Sequence, residues 1–151
     1  MKFVKFLKSC GAFGRVYERR NGDKWLICDG VGMKIPTGVM SLLGVGEVSE
    51  KAGEVIEAII GSDIDDKVIL SRASISAAGK ASDIVRVFST QLADEVGISN
   101  ANFGLLEKSD MNLAYLEILL EDEESVDRYL LVLDRSDEVV GFITGVDPDR
   151  Y

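Results

Sequence analysis

Apolar residues recur along this chain at two different spacings, and the spacing predicts the elements. Arg15 to Cys28 holds two β-prone runs on either side of Asn21-Gly22. Asn-Gly accepts the positive φ angles of a type I′ turn, whose twist matches the strands it joins, so a β-hairpin is predicted there. The passage from Asp29 to Pro36, and Thr37 to Gly46 after it, are rich in glycine and suit turns and bulges more than a helix. A first helix is predicted from Ser49 as N-cap to Ile60, with Ala52, Val55, Ile56, Ile59 and Ile60 on one buried face and Gly61 closing it. Gly53 is its weak point. A second helix is predicted from Ser82 or Asp83 to Gly97, with Ile84, Val85, Phe88, Leu92 and Val96 inward and Arg86, Ser89 and Asp94 outward.

Strands are predicted at Lys67–Ile75, Asn102–Glu107, Leu113–Leu120, Arg128–Asp134 and Glu138–Thr144. The links among the last four, 108–112, 121–127 and 135–137, are short and polar, too short for crossover helices, and so imply antiparallel neighbours. The apolar run Tyr129–Leu133 reads as a central strand covered on both faces. The fold expected is α+β: an antiparallel β-meander with two packed helices and an N-terminal β-hairpin arm. It forms a single domain over 1–151, divided into hairpin and Gly-rich arm (1–46), α+β core (47–146) and C-terminal tail (147–151). A chain of 151 residues, 46% hydrophobic, can bury a core without disulfides or metal.

Charge changes this picture by giving the chain two ends. The formal net charge is −9, yet residues 1–36 carry eight basic side chains against three acidic, and residues 101–151 carry four against thirteen. The two ends either neutralise each other within the fold or meet between chains. Nucleic acid is not expected as a partner, because a basic segment must overcome the field of the acidic remainder. The basic start, Met1 to Lys8, has neither the apolar run nor the cleavage site of a secretion signal. No stretch approaches the ~18 apolar residues of a membrane span, so a soluble, cytoplasmically made protein without membrane contact is expected.

The chain contains no His, which removes the Ser-His-Asp and Cys-His nucleophile pairs and His-ligated zinc. Cys10 and Cys28 match neither a redox nor a zinc spacing and read as reduced apolar residues. The strongest enzymatic signal is Ser76-Ala-Ala-Gly79-Lys80-Ala-Ser82, between a predicted strand and a predicted helix, with Leu130–Asp134 imitating a magnesium-binding strand. A phosphate loop needs Gly where Ser74 stands and a hydroxyl where Ala81 stands. Gly44-Val45-Gly46 lacks the last glycine of a dinucleotide motif, and Asp63, Asp65 and Asp66 lack the rest of a calcium loop. No catalytic residue, metal site, cofactor or small-molecule substrate is therefore expected. The alternative is a small Mg-nucleotide-binding enzyme with a degenerate phosphate loop at Gly79-Lys80.

What remains is interaction. Arg15, Arg19, Arg20 and Trp25 on a protruding hairpin are expected to contact another chain, since Arg and Trp dominate interfaces. The basic start and the Asp147–Tyr151 end would fray on an isolated monomer, so their fastening is expected to come from burial in an assembly. The chain is read as a non-enzymatic structural subunit of a multi-subunit assembly whose partners are other protein subunits. Its specific form would be a virion component, capsid or tail accessory, of a bacterial virus.

Overall fold

A computed structural model describes residues 1–39, 45–75, 84–119 and 126–146. The described residues are mixed α/β, mostly strand, with three short helices. Helix α1 (Phe3–Cys10) leads through a 3-10 turn into β1 (Arg15–Glu18), β2 (Lys24–Cys28), β3 (Val31–Lys34) and β4 (Gly46–Glu47). Helix α2 (Glu50–Ile60) precedes β5 (Val68–Ile75), β6 (Ile84–Thr90), β7 (Glu95–Ser99) and α3 (Asn100–Phe103). Strands β8 (Leu113–Leu119), β9 (Val126–Leu133) and β10 (Val139–Thr144) follow. Seven strands form a large sheet in the order β4-β1-β2-β3-β10-β9-β8, and β5-β6-β7 form a small one. All pairs are antiparallel except β1 with β4.

Alternation along the strands gives the large sheet two apolar faces. Trp25, Tyr129, Leu131, Leu133 and Phe142 point to one face, where Ile56, Ile59 and Ile60 of α2 cover them. Leu26, Leu130, Val132 and Ile143 point to the other, where Phe6 and Cys10 of α1, with Phe88, Val96 and Ile98 of the small sheet, cover them. The molecule is thus layered: α2, the large sheet, then α1 with the small sheet. The predicted α2 forms, with the Ser49 hydroxyl accepting from Ala52 N–H at 3.2 Å, Gly61 at its end and Ile56, Ile59 and Ile60 buried, but Val55, expected on the buried face, is 43% exposed. Gly53 has a positional reason, since a Cβ there would stand 3.3 Å from the Tyr17 ring.

The hairpin is present but is not an arm. Its strands lie inside the large sheet, and Trp25 is 1% exposed. Its loop is also not type I′: Asn21 keeps a negative φ, Gly22 alone takes φ +91°, and Arg19 N–H donates to Asp23 C=O at 2.8 Å. That is a longer loop in which glycine supplies the left-handed residue.

The second predicted helix is the β6–β7 hairpin instead. Val85, Val87 and Phe88 are all buried, so both faces of β6 are covered and period-two alternation is hidden. The residues are β-branched, and the chain reverses at Ala93, φ +65°. Leu92, expected inside, is 72% exposed. The strand expected at Asn102–Glu107 is replaced by α3 and its following turn, started by the Ser99 hydroxyl accepting from Asn102 N–H at 3.2 Å. Helix α1 and strand β3 appear where no element was expected.

The N-terminus is fastened by its own chain. The Met1 ammonium pairs with Asp110 at 2.7 Å, and Lys2 N–H donates to Leu105 C=O at 2.8 Å. A neighbouring subunit is not needed to order it. The Asp147–Tyr151 tail lies outside the described residues.

Candidate interface

The four residues singled out on the hairpin separate into different environments. Arg15 is exposed and folds back on its own turn, donating to Gly14 C=O at 2.8 Å and Ala12 C=O at 3.2 Å. Arg20 is exposed. Arg19 reaches across to α2 and pairs with Glu57 at 2.8 Å. Trp25 points to the α2 face and stacks on Phe142 with ring centroids 6.1 Å apart. Burial removes Trp25 from any surface, because the alternation that carries Tyr17 toward α2 also carries its cross-strand partner Trp25 there.

Between the hairpin, β4 and α2 lies an open cavity of about 1330 Å³, with Tyr17, Arg19, Arg20, Lys24, Glu47 and Glu54 among its walls. At its floor the Tyr17 hydroxyl donates to Glu57 Oε2 at 2.6 Å, while Arg19 Nε and Nη2 occupy both carboxylate oxygens. Hydrogen bonds from Arg19 and then Tyr17 hold the Glu57 carboxyl below its ordinary value. Burial, then the bond to Glu57, pushes the Tyr17 phenol up. Both groups therefore stay in one protonation state near neutral pH, and the trio fixes β1 to α2 rather than moving a proton.

A second surface was not singled out by the sequence. Strand β5 pairs with β6 along one edge; on its other side an isolated bridge joins Lys67 to Ala114, and among the described residues no strand pairs with it beyond that point. Ile69 and Leu70 are exposed there, Leu70 at 66%. The register shifts between Val68 and Leu70. Arg72 is the charged side chain of this strand, 3.4 Å from Glu95. Sequence patterning finds the strand but cannot tell an edge from a centre, because pairing is a property of the whole topology.

Gly79 and Lys80 lie outside the described residues. Asp134, proposed with them for magnesium, begins the β9–β10 turn: its Oδ1 accepts from Ser136 N–H at 2.8 Å and Glu138 N–H at 3.0 Å. Asp137 of the same turn, at φ +61°, is held by Asn112 at 2.7 Å and Lys67 at 2.6 Å, which lower its carboxyl below the ordinary range. The Asp94 carboxyl is pushed up, first by bonding to Asp66 and then by burial, and among the described residues the second Asp66 oxygen, Oδ2, is buried with no hydrogen-bond partner. Among the described residues no three or more His, Cys, Asp or Glu gather as metal ligands. Cys10 and Cys28 are free and buried, and desolvation followed by the neighbouring Cys28 drives the Cys10 thiol to about 12, which suppresses its thiolate.

No family model matches this chain, and neither a curated protein nor a solved structure matches it. Among the described residues no helix is long and apolar enough to cross a membrane.

Proposed function

We propose that this chain is a non-enzymatic structural subunit, joined to neighbouring protein subunits in a larger assembly. The observation that carries the reading is β5: an eight-residue strand that no described residue pairs along most of one edge, carrying exposed Ile69 and Leu70. An edge of this kind presents a row of backbone donors and acceptors that templates pairing with another chain, and folds that stay monomeric usually blunt it with charge or proline. Here Arg72 is its one charge. The groove beside α2 agrees with the reading, since its Tyr17–Glu57–Arg19 floor is built for rigidity.

For the finer form of this proposal, a virion component of a bacterial virus, one support has gone, because the N-terminus is held by its own chain. The test is the size of the species that carries the chain in a native extract. Assembly predicts a species much larger than one chain, released as monomer by Ile69→Lys with Leu70→Lys. Extraction of the wild-type chain at the mass of a single copy would overturn the proposal.

A further inference from the structure

The two cysteines of the chain come from different elements and lie in one buried cluster. Cys10 is the last residue of α1 and 2% exposed; Cys28 is the last residue of β2 and 9% exposed. Strand alternation puts Cys28 on the same side of β2 as Leu26, which is the side that α1 covers. Gly14 lets the end of α1 lie down there. A Cβ at that position would stand 3.2 Å from Cys10 Cβ and 3.2 Å from Leu26 Cδ1, so helix end and strand close around a residue without a side chain. The Cys10 thiol then meets the Cys28 side chain in a hydrogen bond, with the Asp29 carboxylate acting on it from the turn that follows β2. The start of α1 is tied by the Met1–Asp110 pair and the bond from Lys2 to Leu105. The thiol pair sits at its other end.

We infer that Cys10 and Cys28 are a modification site: hydrogen peroxide closes them to a disulfide that fastens the C-terminal end of α1 to β2. The chemistry starts at Cys28, the more exposed of the two, at the strand end beside the Asp29-Gly30 turn. Burial keeps the Cys10 thiol protonated and out of the first step. The Cys28 thiol gives up its proton and its sulfur attacks one oxygen of the peroxide. An S–O bond forms, the O–O bond breaks, and the leaving hydroxide takes that proton as water. The Cys10 sulfur then attacks the sulfenic sulfur of Cys28; an S–S bond forms, the S–O bond breaks, and the hydroxide leaves with the Cys10 proton as a second water. Two thiols have lost two electrons and one peroxide has gained them. Contact between the side chains directs the outcome, since a sulfenic acid with a thiol beside it condenses before further oxygen adds. Packing as small apolar residues accounts for the burial of each cysteine, but not for their meeting across two elements.

The experiment treats the folded wild-type chain with hydrogen peroxide, alkylates the remaining thiols after unfolding, and reads the intact mass and the linked peptides. The chain treated while unfolded in urea is the control that both thiols can react. The expected product is lighter by two hydrogens and takes up no alkylating reagent. Its digest joins Cys10 to Cys28, and dithiothreitol restores both thiols. The link is expected to raise the midpoint of thermal unfolding by about 5–10 °C, because it restricts the unfolded chain. In Cys10→Ser the sulfenic acid on Cys28 should persist and be captured by dimedone. A folded chain whose thiols stay unoxidised while the unfolded control reacts would overturn the inference. So would oxygen added to either sulfur in place of the link, a disulfide joining two chains, or a link that leaves the midpoint unchanged. All four are read on the wild-type chain, so they hold whether or not the variant folds.

Discussion

At the scale of single residues, Glu57 and Asp94 give stability opposite dependences on pH. The Glu57 carboxyl is held down by Arg19 and Tyr17, so its folded value lies below its unfolded value of 4.5. Its contribution is complete above that unfolded value and is lost as pH falls through the folded one. Because Glu57 is 45% exposed, solvent screens the pair, and Glu57→Gln is expected to cost about 0.5–1 kcal/mol. Asp94 is held up by its bond to Asp66, by burial and by the charges of Asp66 and Glu117, with Arg128 pulling the other way. Its contribution is complete below the unfolded value of 3.8 and is lost as pH rises through the folded one. Urea titrations from pH 3 to about 7 should therefore show the acid-side loss flattened in Glu57→Gln. In Asp94→Asn the loss on raising pH should be the one that flattens. Gly32 offers a test of packing: a Cβ there would overlap the Phe142 ring, so Gly32→Ala is expected to destabilise by about 1–3 kcal/mol in the same titration.

At the scale of elements, the sign of one substitution separates a hairpin from a helix at 84–97. Ala93 holds φ +65°, a strained value for an L side chain, in the turn where Thr90 N–H donates to Asp94 C=O at 3.0 Å. Ala93→Gly should stabilise by about 0.5–1 kcal/mol, whereas in a helix interior the same change would destabilise by about 1 kcal/mol. The misreading had a physical cause. Sheet strands covered on both faces lose their alternation, and Ile84, Val85, Phe88, Leu92 and Val96 then fall by coincidence at helical spacing. Where one face is wet the pattern was legible, as in α2 with its Ser49 cap, and β8, β9 and β10 lie where apolar runs between short polar links placed them. Helix α1 was also legible in principle, through the helical spacing of Phe3, Phe6, Leu7 and Cys10 with Lys5 and Lys8 on the other side. What the chain could not disclose from local signals was which strands end a sheet, and so the β5 edge, or that Trp25 points inward.

At the scale of the whole molecule, the basic N-terminal segment, residues 1–36, is structure and not an appendage. It supplies α1, which covers one face of the large sheet, and three strands of that sheet. Deleting residues 1–36 is expected to abolish cooperative unfolding, which thermal circular dichroism would show; a folded remainder would restore the arm reading. The two-ended charge of the sequence is neutralised in part within the fold, where the Met1 ammonium pairs with Asp110 and Arg19 with Glu57. The most direct test of the assembly account is the mass of the wild-type chain in a native extract, compared with that of the variant carrying Ile69→Lys and Leu70→Lys. The account predicts a wild-type species much larger than one chain and a variant at the mass of a single copy. A wild-type mass of one chain, or a large species that the two substitutions leave unchanged, would contradict it.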